Sequence, residues 1–286
     1  MIELEAGDAR CVVVPELGAA IASLTVGDRP VLRSTDAKPA DEAFELACNL
    51  MVPFSNRING GFTVDGTFYR LDPNRTDQPY AIHGDGFQKA WAVERQSGTE
   101  ASLTLEGAYG PLIYSARVDY QLTAGALTSV LTLTSRADDM LPFGGGFHPW
   151  FPRSDHTRLK AKLTGFWPAG ADKLPTSAVE QPVPIDFDFS EPTRLPTGAL
   201  DNGFSGWDGS AHIDQGEDAV SVSITSSTLD HAIIYAPSPE AGFFCFEPVS
   251  HPINAHNLPG MPGLKLLAPG ERLRMDMVLE WQGMRR

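Results

Sequence analysis

Apolar and polar residues alternate at period two along much of the chain, the spacing of a strand with one buried face. Tyr114, Ala116, Val118, Tyr120 and Leu122 fall on one side, and Ser115, Arg117, Asp119 and Gln121 on the other. Thr123–Ala126 reads as a turn, after which Leu127, Leu131 and Leu133 alternate with Thr128, Val130, Thr132 and Thr134. This predicts an antiparallel meander. Further strands are expected near Ala9–Val14, Ala20–Val26, Leu103–Glu106, Ala219–Ser226, Ala232–Tyr235, Gly242–Phe246 and Leu273–Trp281. No long stretch repeats at i, i+3, i+4, i+7, so helices should be scarce. Many short strands with Gly and Pro turns imply an all-β sandwich. Phe166–Ser210 breaks the pattern, being rich in Pro, Gly and Asp. It reads as a long excursion over one domain spanning residues 1–286, because motifs on both sides of it serve one site.

Composition narrows the class. Of 286 residues, 42% are hydrophobic, enough for a sizeable core. The net charge of −14 disfavours nucleic acid and anionic membrane surfaces as partners and suits a neutral small molecule. Cys11, Cys48 and Cys245 are odd in number and lack CxxC spacing. They read as buried thiols in a reducing compartment, with no disulfide framework and no metal site. Met1–Glu5 carries acidic residues where a leader wants basic ones, and no apolar run approaches a membrane span. The expectation is a cytoplasmic protein, monomeric or homodimeric.

Five stretches place polar groups among aromatics and glycines. Pro53–Gly61 carries Asn56 and Arg57, which together can donate to several hydroxyls. Ala81–Phe87 sets His83 beside Gly84, a position open to close approach. Pro142–Arg153 places His148 after three glycines and among aromatics including Trp150, with Pro149 holding it extended and Arg153 directly after the frame. An aromatic face beside a polar group suits a pyranose, whose C–H faces stack while its hydroxyls bond at the edges. Thr197–Phe204 carries Asp201 within an Asp-Asn-Gly turn sequence. Phe243–Val249 ends a dense apolar strand on Glu247, where burial would raise the carboxyl toward general-base range. Taken singly, the first four read equally well as turns, a structural histidine or an aromatic cluster. His251 and His256 lack metal-ligand spacing.

In this order, the five stretches resemble the aldose 1-epimerase (galactose mutarotase) family, over roughly Gly18 to Leu279. The Gly18–Ile21 strand and the Pro269-Gly270-Glu271 turn also look like the family. The resemblance implies a large antiparallel galactose mutarotase-like supersandwich with its site in a cleft on the concave sheet. It implies that Glu247 removes the anomeric hydroxyl proton and His148 protonates the ring oxygen, so that the ring opens, C1–C2 rotates and the other anomer closes. It further implies that Arg57 and His83 orient the sugar, that Asp201 accepts from distal hydroxyls, and that Asn56 supports them. No cofactor is required. The frame around His148 departs from the family's usual Asn-x-Thr before this histidine and Tyr-Phe-Asn-Leu after it. If Arg153 points into the cleft, an anionic sugar (phosphorylated, sulfonated or a uronate) enters the expected range. Two alternatives stand beside this one: a non-catalytic carbohydrate-binding or sugar-sensing protein on the same fold, and a glycoside hydrolase using Asp201 and Glu247 as paired carboxylates.

Overall fold

The computed structural model describes residues 1–33 and 43–281. Among them, two large antiparallel sheets dominate. The first has eleven strands. It runs through Ile2–Ala6, Ala9–Val14, Ala20–Val26, Cys48–Met51, Gly146–Pro152, Phe243–Val249, His231–Ala236, Leu200–Ser205, Gly165–Trp167 and Gln181–Pro182, with Arg29–Pro30 paired to Ala20–Val26. The second runs through Ala92–Gln96, Glu100–Tyr109, Leu112–Leu122, Ala126–Ser135, Arg272–Glu280, Val222–Thr225, Ser210–Asp214 and Arg158–Ala161. This is the all-β, antiparallel architecture expected from the alternation. No helix among the described residues is long and apolar enough to cross a membrane.

The meander follows the period-two reading. Along Leu112–Leu122, every second side chain from Leu112 to Leu122 is buried and the intervening ones are not. Those buried faces meet Phe147, Phe151, Phe244 and Phe246 of the first sheet in one hydrophobic cluster. The two central strands of the first sheet lack such alternation, because Gly146–Phe151 and Phe244–Val249 are buried on both faces. Their phenylalanines fill the core between the sheets, and their other face is covered by loops.

The excursion is more ordered than its composition suggests. Gly165–Trp167, Gln181–Pro182 and Leu200–Ser205 all join the first sheet. Leu200–Ser205 pairs with His231–Ala236 over six residues, setting Asp201 opposite Tyr235. Asp201 therefore sits on a strand, where the sequence reads a turn. Local Asp-Asn-Gly turn chemistry yields to six registered backbone pairs and to the burial of Phe204.

Candidate active site

The site is built across the middle of the first sheet, on the face opposite the phenylalanines. His148 lies opposite Asn49 on the neighbouring strand. On the other side, Gly146 pairs with Val249 and Trp150 with Cys245, and the same antiparallel register sets His148 opposite Glu247. One row thus carries Asn49, His148 and Glu247, and Ile233 opposite Glu247 continues it. The next row carries Trp150, Cys245, Tyr235 and Asp201. Strand periodicity points all of them to one face.

His148 Nε2 and Glu247 Oε1 are 3.3 Å apart, and both side chains are almost wholly inaccessible. Burial drives the two groups in opposite directions, since it penalises each charged form. It pushes His148 down to about 3, with the Arg33 and Arg57 charges adding to the effect. It pushes Glu247 well above the carboxylate range, helped by Asp201 and opposed by Arg57. A single proton between them satisfies both. Glu247 Oε2 has no hydrogen-bond partner among the described residues, leaving an acceptor available to a ligand.

The two loop motifs separated by some 25 residues are tied into one unit. Arg57–Ile58 pairs with Ala81–Ile82, and the His83 backbone N–H donates to Asn56 O at 2.9 Å. The Asn56 backbone N–H donates to His83 Nδ1 at 3.0 Å. That bond places the ring hydrogen on Nε2 and makes His83 a neutral donor. Its ring meets that of His148 edge-on, with centroids 5.3 Å apart. Asn56 Oδ1 accepts from both the Arg57 backbone N–H, at 3.0 Å, and Nη1, at 3.1 Å. Asn56 is thereby placed to orient Arg57 and His83. Asn56 and His83 both adopt positive φ, at 53° and 57°, strained for residues with a Cβ. Such strain is held by the surrounding bonds.

Of the remaining expected residues, Asp201 and Trp150 lie in the neighbouring row and Arg153 does not. Asp201 is nearly buried and lies 3.6 Å from Lys173 Nζ. Trp150 is stacked on His148, with ring centroids 4.9 Å apart, and carries the Arg33 guanidinium 4.1 Å above its centroid. It packs against the acid/base pair and is 8% exposed, so little of its face is open to the sugar stacking expected of an aromatic there. Arg153 is not brought to the pair. It stands five residues along an extended strand, roughly 16 Å from His148, donates to Pro196 O at 2.7 Å and lines a separate hollow with Arg194 and Thr197. The anionic-sugar expectation loses the residue on which it rested.

Arg33, Lys173 and Tyr235 are site residues that sequence reasoning passed over. Tyr235 was legible as every second residue of the strand from His231, the face shared with Ile233. Arg33 and Lys173 carry no motif. Chain folding alone brings them to the sheet.

His251 and His256 support the loops. The Ser55 backbone N–H donates to His251 Nε2 at 3.0 Å, and His256 Nε2 donates to Pro142 O at 3.2 Å. Burial pushes them down to about 4 and about 3, and holds His83 well below its ordinary value. All three are neutral in the fold and free to protonate when unfolded. The unfolded chain therefore binds more protons below about pH 6.5, and each such group costs the fold about 1.4 kcal/mol per pH unit. Because these rings together outweigh the opposite contribution of the single buried Glu247 carboxyl, the melting temperature should drop steeply between about pH 6 and 4. A melting temperature unchanged across that interval by circular dichroism would contradict neutral burial of these rings.

The family model described as aldose 1-epimerase matches residues 1–280. The chain is 34% identical over 278 residues to the uncharacterised protein YphB of Escherichia coli K12, covering 94% of this chain and 95% of that one. A crystal structure from Escherichia coli K12 superposes with a TM-score of 0.91 at 31% identity, over 99% of this chain and 98% of that chain. A galactose mutarotase-like protein from Clostridium acetobutylicum shares the fold at 18% identity, with a TM-score of 0.86 over 99% of this chain and 95% of its own. With its paired His148 and Glu247 on a matching supersandwich, the chain belongs to the aldose 1-epimerase family.

Proposed function

We propose that this protein is an aldose 1-epimerase that interconverts the α and β anomers of a free sugar by acid/base ring opening and reclosure. The observation that carries the proposal is the contact between His148 Nε2 and Glu247 Oε1 at 3.3 Å. The anomeric hydroxyl and the ring oxygen share one carbon, so an acid and a base this close can serve both. The pair holds one proton. With the proton on Glu247 both groups are uncharged; with it on His148 an imidazolium faces a carboxylate. The second arrangement is reactive. Glu247 takes the proton from the anomeric hydroxyl, a carbonyl forms at C1, the bond from C1 to the ring oxygen breaks, and His148 protonates that oxygen. This step returns the pair to the uncharged arrangement that burial favours. After rotation about C1–C2 the same transfers run backwards on the other aldehyde face. Each positioned group contributes about 10²–10⁴-fold.

In this reading His83 donates its Nε2–H to the ring oxygen, Arg57 donates to sugar hydroxyls, and Asp201 accepts from a distal hydroxyl while Lys173 holds its charge. The direct His–Glu contact favours this chemistry over a carboxylate-pair hydrolase, in which the catalytic acid and base are both carboxyl groups.

Anomer exchange measured by NMR, at a pH where spontaneous exchange is slow, tests the proposal over a panel of aldoses with one uronate, one sulfonated sugar and one hexose phosphate. We expect acceleration for at least one neutral aldose, lost in His148→Asn. Sugar binding without acceleration of any exchange would identify a binding protein instead.

A further inference from the structure

We propose that His148, Cys245 and Glu247 form a three-donor site for a thiophilic divalent cation such as Zn²⁺, and that the ion and the sugar compete for it. One ring nitrogen of His148, Cys245 Sγ and a Glu247 carboxylate oxygen all lie within 4.8 Å of one another. The donors come from adjacent strands, and Cys245 precedes Glu247 by two residues on the same face. Two ligands bound at about 2.0–2.1 Å in a tetrahedron sit about 3.3 Å apart. His148 Nε2 and Glu247 Oε1 already stand at 3.3 Å. The set of imidazole, thiolate and carboxylate suits zinc, and three protein donors leave a fourth position for water.

Cys245 differs from the other two thiols. Cys11 and Cys48 belong to the hydrophobic core between the sheets, and Cys245 does not. It opposes Trp150 and Tyr235 on the site face. Metal binding releases two protons to solvent, one from the Cys245 S–H as the sulfur–metal bond forms and the one that the His148–Glu247 pair shares, leaving thiolate, carboxylate and neutral imidazole as donors. A nearby cation reverses the burial that otherwise keeps the thiol protonated. Glu247 Oε2, buried and without a partner, gives the carboxylate freedom to turn its other oxygen to the ion. The sequence shows no ligand spacing because His148 lies on a distant stretch of chain and reaches the other two only through strand pairing.

The competition with sugar rests on the epimerase reading; the metal site does not. Cd²⁺ titration of the full chain, followed by the ultraviolet thiolate-to-metal charge-transfer band, reads the site directly. We expect one Cd²⁺ per chain with the band present, the band lost in Cys245→Ala and kept in Cys48→Ala. Should Cys245→Ala not fold, Glu247→Gln provides the second arm, with Cd²⁺ affinity falling at least tenfold. No band in the wild type, or a band that survives Cys245→Ala, would overturn the proposal. In anomer exchange, Zn²⁺ should inhibit the wild type competitively and Cys245→Ala at least tenfold less. A band that behaves as expected in a protein without exchange activity leaves the metal site standing and removes the epimerase reading alone.

Discussion

Glu247→Gln should lose about 10²–10⁴-fold in anomer exchange while keeping its fold and its affinity for sugar. The amide matches the carboxyl in shape and still presents a carbonyl oxygen to His148, so packing is preserved. What disappears is the group that alternately takes and returns a proton. The same substitution should make the protein more stable. Burial raises the Glu247 carboxyl well above the ordinary range, which means that the fold resists its ionisation. The unfolded chain ionises it freely above about pH 4.5. The stability lost to this residue therefore grows as pH rises from about 4.5, and a neutral amide escapes it. At pH 7–8 the variant should melt above the wild type, and below about pH 4 the two should coincide. A variant that is both inactive and less stable at neutral pH would show that Glu247 holds the fold together, in place of the catalytic role assigned to it.

Gly84→Ala should cost the fold about 2–5 kcal/mol, from about 1–2 for a left-handed alanine and about 1–3 for overpacking. Gly84 has φ +69°, and a Cβ there would stand 2.0 Å from Val52 O and 2.4 Å from Pro53 Cδ. Neither neighbour is a flexible side-chain end, so the loop itself must move. That loop begins at His83, whose ring accepts from Asn56 at 3.0 Å. The surviving folded protein should therefore show a raised KM for the sugar as well as a lowered melting temperature. Gly66→Ala is the matched control, since φ is +80° but nothing lies within 4 Å of the added carbon. It should cost only about 1–2 kcal/mol and leave KM alone. Equal effects on stability in the two variants would show that the clash at Gly84 is relieved by relaxation.

Much of the fold could be read from alternation, because half-buried strands record their own geometry. Ala9–Val14 and Ala20–Val26 occur within the expected bounds, and the strand from Leu112 to Leu122 buries the side chains the pattern selects. The strands carrying His148 and Glu247 are buried on both faces, so alternation is silent there. The residues stood out through their unusual surroundings: an imidazole after three glycines, a carboxylate ending an apolar run. Asp201 was legible as a residue and illegible as structure, since its turn-like neighbours are overruled by pairing with His231–Ala236.

By itself, the sequence determined the period-two core, the scarcity of helices and the chemical types available at the site. Each is a local property, written in neighbouring residues. Only the tertiary structure decided that His148 faces Glu247 at 3.3 Å, that Cys245 stands beside them, that Arg33 covers Trp150 and Lys173 meets Asp201, and that Arg153 lies elsewhere. Those contacts depend on strand register and on loop paths across the sheet, where a shift of one residue reverses every side chain. No stretch of sequence records the partner it will meet from the far side of the chain.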